Sequence, residues 1–210
     1  MPSWEVNINE ACVTCLADFI SHVIDNKSIF TRKHTSQIAN RAWLMATHYG
    51  YTKEEKDALY LAASLHDIGK MATPIGILEK PGKLSKDEFK IIKTHVKSTY
   101  DWLSEIPGFG LMRDWAAFHH EKLDGSGYPF GKKGIELDFN ARLIACLDIY
   151  QAAGEKRPYH DARSHEETML ILYEMAGNSS IDSNIVKDID TIMKQFSMKD
   201  APAPKSIENA

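Results

Sequence analysis

Three cysteines in 210 residues are too few for a disulfide framework. Cys12 and Cys15 form one C-x-x-C with no second pair, in a segment patterned Ala11, Cys12, Cys15, Leu16, Phe19, and Cys146 sits in an apolar stretch. Buried, reduced thiols are the expectation, and with them a reducing compartment. No apolar run reaches the length of a membrane span, and no basic start with an apolar run and a cleavage site is visible, so the cytoplasm is the expected location and no membrane partner is implied. A basic excess is missing too. Lys and Arg number 25 against 29 Asp and Glu, a net charge of -4, which gives no general attraction to long nucleic acid. An anionic substrate must then be drawn in by local positive charge, a metal included. Nothing alternates long enough to require a sheet, so the fold class is all-α.

Helical period is what the chain does contain. Ile8 to Asp25 carries Ala11, Cys12, Cys15, Phe19 and Val23 at near-helical spacing, and a helix from about Thr35 to Tyr49 puts Ile38, Ala42 and Met45 on one face. Thr52–Glu55, Ser85–Glu88 and Ser164–Glu167 have capping-box spacing and open further helices. Those helices lead to Ile68, Ser104 and Gly177. A short helix carries Trp115, Ala116, His119 and His120, another spans Phe139 to about Ala153, and a last one spans Asn184 to Phe196. Ala72 to Gly82 and Gly154 to His160 read as loops. Residues 199–210 lack apolar period and read as a flexible tail.

The run ending in Leu65-His66-Asp67-Ile68-Gly69-Lys70 places an imidazole, a carboxylate and an ammonium where core is expected. Such groups are costly beside apolar side chains unless each has a partner. A metal suits His66 and Asp67, whereas protonated Lys70 suits an anion next to it. Similarly misplaced are His34, His95, His119, His120 and Asp148, each on or at the end of a separate predicted helix apart from the adjacent pairs. Helices that converge imidazoles and carboxylates build metal sites inside a core. Seven such residues exceed one closed tetrahedral site, so two divalent metals sharing a carboxylate fit the count better. Iron or manganese suits this donor set best, with zinc or nickel as alternatives. His22, His48, His160 and His165 lie in polar or terminal contexts and are left out. Hydrolysis of a phosphate ester suits the combination, with Lys70 stabilising charge on the phosphoryl group.

His34, His66-Asp67 and Asp148 resemble the HD superfamily of metal-dependent phosphohydrolases. More narrowly, His66-Asp67-Ile68-Gly69-Lys70, His95, His119-His120-Glu121, Asp124-Gly125-Ser126-Gly127-Tyr128-Pro129 and Arg157-Pro158-Tyr159 resemble the HD-GYP subfamily. The resemblance implies an HD-domain helical bundle with additional C-terminal helices. It makes 1–29 a helical lead-in packed on the same core and 30–198 the catalytic domain. It also implies hydrolysis of cyclic di-GMP to the linear dinucleotide pGpG and on to GMP, with water between the metals as nucleophile. His34, His66, Asp67 and Asp148 would hold one ion, and Asp67 would bridge to a second held by His95, His119 and His120. Asp67 and Lys70 would carry the chemistry, Lys70 on the scissile phosphate, with Arg157 on a second phosphate or a guanine.

The chain departs from the family at three places. Phe30 stands where members with a third iron carry a glutamate, so the site reads as binuclear. Gln151 stands where a second aspartate is usual, and His160 follows the RPY triplet where a basic residue is usual. These leave two alternatives open: an HD-type hydrolase of another nucleotide or cyclic dinucleotide, or a module that binds cyclic di-GMP with little turnover. Such domains are commonly attached to a receiver or other sensory domain, and these residues contain none. A sensory partner and a homodimer both stay open.

Overall fold

The computed structural model describes residues 10–28, 33–156 and 161–195. The expected lead-in before 10 and tail 199–210 lie outside them. So do Phe30, Arg157 and His160, and the Cys12 side chain.

The chain runs through α1 (Glu10–Asp25), α2 (His34–His48), α3 (Lys53–Leu65), a 3-10 turn over Ile68–Ala72, and the single-turn α4 (Ile75–Leu78). It continues through α5 (Lys86–Ser104), α6 (Gly110–Ala117), a 3-10 turn over Gly134–Glu136, α7 (Phe139–Gly154), α8 (His165–Gly177) and α9 (Ser183–Gln195). The fold is an all-α bundle with α8 and α9 added at its C-terminal side. Among the described residues the only β feature is an isolated bridge between Asp124 and Lys133.

Local chemistry accounts for where the helices begin. Thr52, Ser85 and Ser164 each accept a hydrogen bond from the backbone N–H three residues on, and Glu55, Glu88 and Glu167 each bond back to the cap. All three capping boxes read from sequence are formed, and each satisfies backbone donors that have no partner inside the helix.

Packing then fixes the bundle. Ala39, Ala42 and Ala46 of α2 and Ala62 and Ala63 of α3 are fully buried in one cluster, and side chains this small let the two helices lie close. Leu143, Ile144 and Leu147 of α7, Leu172 of α8 and Ile185 and Ile189 of α9 complete the same core. Burying each such Leu or Ile stabilises the fold by about 1.5–3 kcal/mol.

Four expectations need correction. In α1 the stripe of Cys15, Phe19 and Val23 faces solvent, with Phe19 64% exposed, while Ala17, Ser21 and Ile24 are buried against the core. Cys15 is therefore an exposed thiol, not a buried one. Ile68 does not continue the helix of Leu61 and Leu65, because α3 stops at Leu65. His119 and His120 follow α6, which ends at Ala117, and the Ala72–Gly82 loop contains the turn of α4.

Candidate metal centre

The site is built where α3 stops. His66 caps that helix, Asp67 takes φ -103° and ψ 10°, and the 3-10 turn carries Gly69 and Lys70 away. Gly69 N–H donates to Thr99 Oγ1 at 3.0 Å, and the same hydroxyl donates to the His66 carbonyl at 3.1 Å. These bonds pin the turn onto α5, where His95 lies one helical turn before Thr99. His119 and His120 arrive from the end of α6, Asp148 from the middle of α7, and His34 is the first residue of α2.

All seven residues singled out as metal ligands come together. His34, His66 and Asp148 form one group, His95, His119 and His120 a second, and His66, Asp67 and His119 a third between them, with donor atoms inside each group no more than 4.8 Å apart. Asp67 stands in the middle. Its Oδ1 lies 3.2 Å from His95 Nε2 and 3.8 Å from His119 Nε2, and its Oδ2 lies 3.3 Å from His66 Nε2. Lys70 Nζ donates to that same Oδ2. Across the site His34 Nε2 lies 3.0 Å from Asp148 Oδ1, and His120 Nδ1 lies 3.8 Å from Asp148 Oδ2.

The hydrogen bonds of the rings show what the site is suited to hold. His66, His95 and His119 each donate Nδ1–H to the carbonyl three residues before, of Ala63, Ile92 and Ala116, at 2.8, 2.6 and 2.7 Å. That arrangement leaves Nε2 of each ring as a lone pair. Those three Nε2 atoms and Asp67 Oδ1 are buried without a hydrogen-bond partner. Buried polar atoms are seldom left so, and four on one cluster is a costly arrangement. Imidazole nitrogens and carboxylate oxygens at this spacing fit divalent cations, which would satisfy all four.

Charge is set accordingly. Burial works against an ionised Asp67, yet the Lys70 ammonium holds its carboxyl well below the usual range. Asp148 is likewise buried and held low, by the hydrogen bond from His34. His119 and His120 are kept neutral by burial and by neighbouring imidazoles, His120 down to about 4. Burial opposes charge on His34, but hydrogen bonds to Asp148 and Glu155 outweigh it and raise that ring to about 9. Neutral imidazoles and ionised carboxylates are the ligand-competent forms, and an ion at His34 would displace a proton.

Several residues at the site were given no role by the sequence reading. Glu155 receives His34 Nδ1, and Gln37, Arg41 and Gln151 join it in one polar network. Glu121, 3% exposed, accepts the backbone N–H groups of Phe130 and Lys132 at 2.7 and 2.9 Å and so ties down the Gly127-Tyr128-Pro129 loop. Its position beside the histidine pair was the available signal. That loop must come close, since a Cβ on Gly127 would lie 2.5 Å from Glu121 Cα. The Tyr128 ring packs 4.9 Å from His120, and Lys93 Nζ lies 4.5 Å over it.

Comparison with known proteins agrees with this architecture. The family model described as HD domain matches residues 18–185. The chain belongs to that family, is HD-GYP-like in its motifs, and is homologous to proteins named as cyclic di-GMP phosphodiesterases. It is 35% identical over 195 residues to 3'3'-cGAMP-specific phosphodiesterase 1 of Vibrio cholerae, covering 93% of this chain and 45% of that protein. It is 33% identical over 165 residues to the cyclic di-GMP phosphodiesterase response regulator RpfG of Xanthomonas campestris, covering 75% of this chain and 42% of that one. The chain thus spans less than half the length of these relatives. Its fold is similar to that of Bd1817, described as an HDG"Y"P protein, from Bdellovibrio bacteriovorus, with a TM-score of 0.65, 16% identity, and coverage of 90% of this chain and 66% of that one. Among the described residues no helix is long and apolar enough to cross a membrane.

Proposed function

We propose that the chain is a metal-dependent phosphodiesterase that hydrolyses a cyclic dinucleotide. The observation that carries this reading is the convergence of three buried, partnerless Nε2 atoms and Asp67 Oδ1 beside an ammonium, Lys70. When bound, two divalent ions, iron or manganese first and zinc or nickel second, would supply an activated water and a clamp on the phosphate oxygens. His34, His66 and Asp148 would hold one and His95, His119 and His120 the other, with Asp67 shared. The Nδ1 hydrogen bonds fix the ring orientations, so no reorganisation is needed when the charge on the phosphoryl group grows. Lys70, beside Asp67, supplies the positive charge that meets it. Arg157, assigned by resemblance to a second phosphate or a guanine, belongs to the same reading.

Two substrates compete. Cyclic di-GMP follows from the subfamily resemblance, whereas the relative matched over 93% of the chain acts on 3'3'-cGAMP. The longer match supports 3'3'-cGAMP as the substrate to test first. The greater length of the relatives, one of them a response regulator, supports a sensory or receiver partner.

The test is product formation from 3'3'-cGAMP, cyclic di-GMP and cyclic di-AMP, by protein stripped of metal and then supplied with manganese or ferrous iron. Linear dinucleotide from one or more substrates, only with metal, is expected. Uptake of metal with no cleavage of any of the three would favour a binding module.

A further inference from the structure

Helices α2 and α7 each carry a polar stripe at the same spacing. His34, Gln37 and Arg41 stand at i, i+3 and i+7 on α2, and Asp148, Gln151 and Glu155 do so on α7 and its C-cap. The two stripes meet. His34 Nε2 faces Asp148 Oδ1 at 3.0 Å, and His34 Nδ1 lies 3.2 and 3.1 Å from the two oxygens of Glu155. Gln151 donates to both Gln37 Oε1 and Glu155 Oε1, and Arg41 donates to Gln151 Oε1. Arg41 is 3% and Gln151 2% exposed, so the middle of the network is buried, with Gln37 and Glu155 half-buried at its ends. Through the Gln151 amide, the buried guanidinium and the Glu155 carboxylate hold each other in place.

The histidines differ in what holds Nδ1. For His66, His95 and His119 it is a neutral backbone carbonyl of the same helical turn. For His34 it is a carboxylate brought from another helix, 121 residues along the chain. A carboxylate behind a ligating imidazole fixes its tautomer and ring angle and makes the other nitrogen a stronger base. Loss of such a partner typically lowers metal affinity about 10–100-fold.

We infer that Glu155 is a positioning residue for His34, selectively strengthening the ion position formed by His34, His66 and Asp148 over the one formed by His95, His119 and His120. This rests on the reading of the cluster as a metal centre and on no assumption about substrate. Gln151, which departs from the family pattern, then has a definite role, which is to aim the Glu155 carboxylate at His34.

The experiment is titration of the metal-stripped full chain with manganese by calorimetry, with free manganese followed by electron paramagnetic resonance. Wild type, Glu155→Gln and Glu155→Asp are compared. Glu155→Gln is expected to weaken one binding step about 10–100-fold and to leave the other unchanged. Glu155→Asp keeps the negative charge near Arg41, which protects the fold, but its shorter side chain withdraws from Nδ1, and the same single step should weaken. Two unchanged steps in either variant would overturn the inference, as would equal weakening of both steps, the sign of a general structural effect. Wild-type protein that takes up no manganese would instead overturn the metal-centre reading itself.

Discussion

Gly69 lies against the backbone of His95 so closely that a Cβ placed on it would fall 1.9 Å from the His95 carbonyl oxygen and 2.8 Å from Thr99 N. The glycine after the His66-Asp67 pair is therefore a packing requirement. It lets the turn that carries two ligands touch the helix that carries a third.

Gly69→Ala should accordingly act on stability and on the site together. The clashing atoms are backbone, which cannot rotate away, so the cost should sit at the upper end of the overpacking range, about 3 kcal/mol. Urea unfolding of the metal-free protein reads this directly. Gly76, whose added Cβ would meet nothing within 4 Å, is the control position, and Gly76→Ala should leave the midpoint nearly unchanged. Equal midpoints for the two variants would show that α5 and the turn can separate freely.

How much of this could be read beforehand depended on range. The three capping boxes are contacts over three residues, and Ser85 with Glu88 is visible in any four-residue window. The ligands were legible because an imidazole such as His95, in a stripe with Val96, Thr99 and Leu103, is out of place on an apolar face. The α1 face was misread for a physical reason. Its helix has a bulky apolar arc at Leu16, Phe19 and Val23 and a smaller arc at Ala17, Ser21 and Ile24. Periodicity gives no means of knowing that the neighbouring helices accept the smaller one. Glu155 lay in what read as a polar loop after α7. Its role exists only once α7 is docked on α2, a tertiary fact that local pattern does not encode.

Lys70 should separate binding of metal from turnover. Its Nζ pairs with Asp67 Oδ2, and the side chain is half-buried at the edge of the cluster. Lys70→Ala removes the ammonium but none of the imidazoles or carboxylates, so two ions per chain should still be found by elemental analysis. The rate of phosphodiester cleavage should fall about 10²–10³-fold, the loss seen when one donor to a developing oxyanion is removed. Asp67→Ala gives the contrast, since the shared carboxylate goes and both metal content and turnover should drop. Unchanged turnover in Lys70→Ala would mean that the ammonium serves only to neutralise Asp67.

Cys146 should shape the alkaline limb of stability. It is buried in α7, and burial pushes its thiol from the usual 9 up to about 12. Between those values the unfolded chain has lost a proton that the native state keeps, so fewer protons are bound unfolded than folded and stability must fall as pH rises. The contribution is complete below pH 9 and lost progressively toward 12. Tyr49 and Tyr60, whose hydroxyls burial also raises, add slope of the same sign at higher pH. Urea unfolding from pH 8 to 11 should give a shallower decline for Cys146→Ala than for wild type, by up to one proton's worth of slope above pH 9. Iodoacetamide with mass mapping supplies the kinetic counterpart: Cys15, exposed on α1, should be modified in the native protein, and Cys146 only once urea has opened the core. Parallel pH slopes with early labelling of Cys146 would show that water reaches the α7 core, which would also place water beside Asp148, two residues along the same helix.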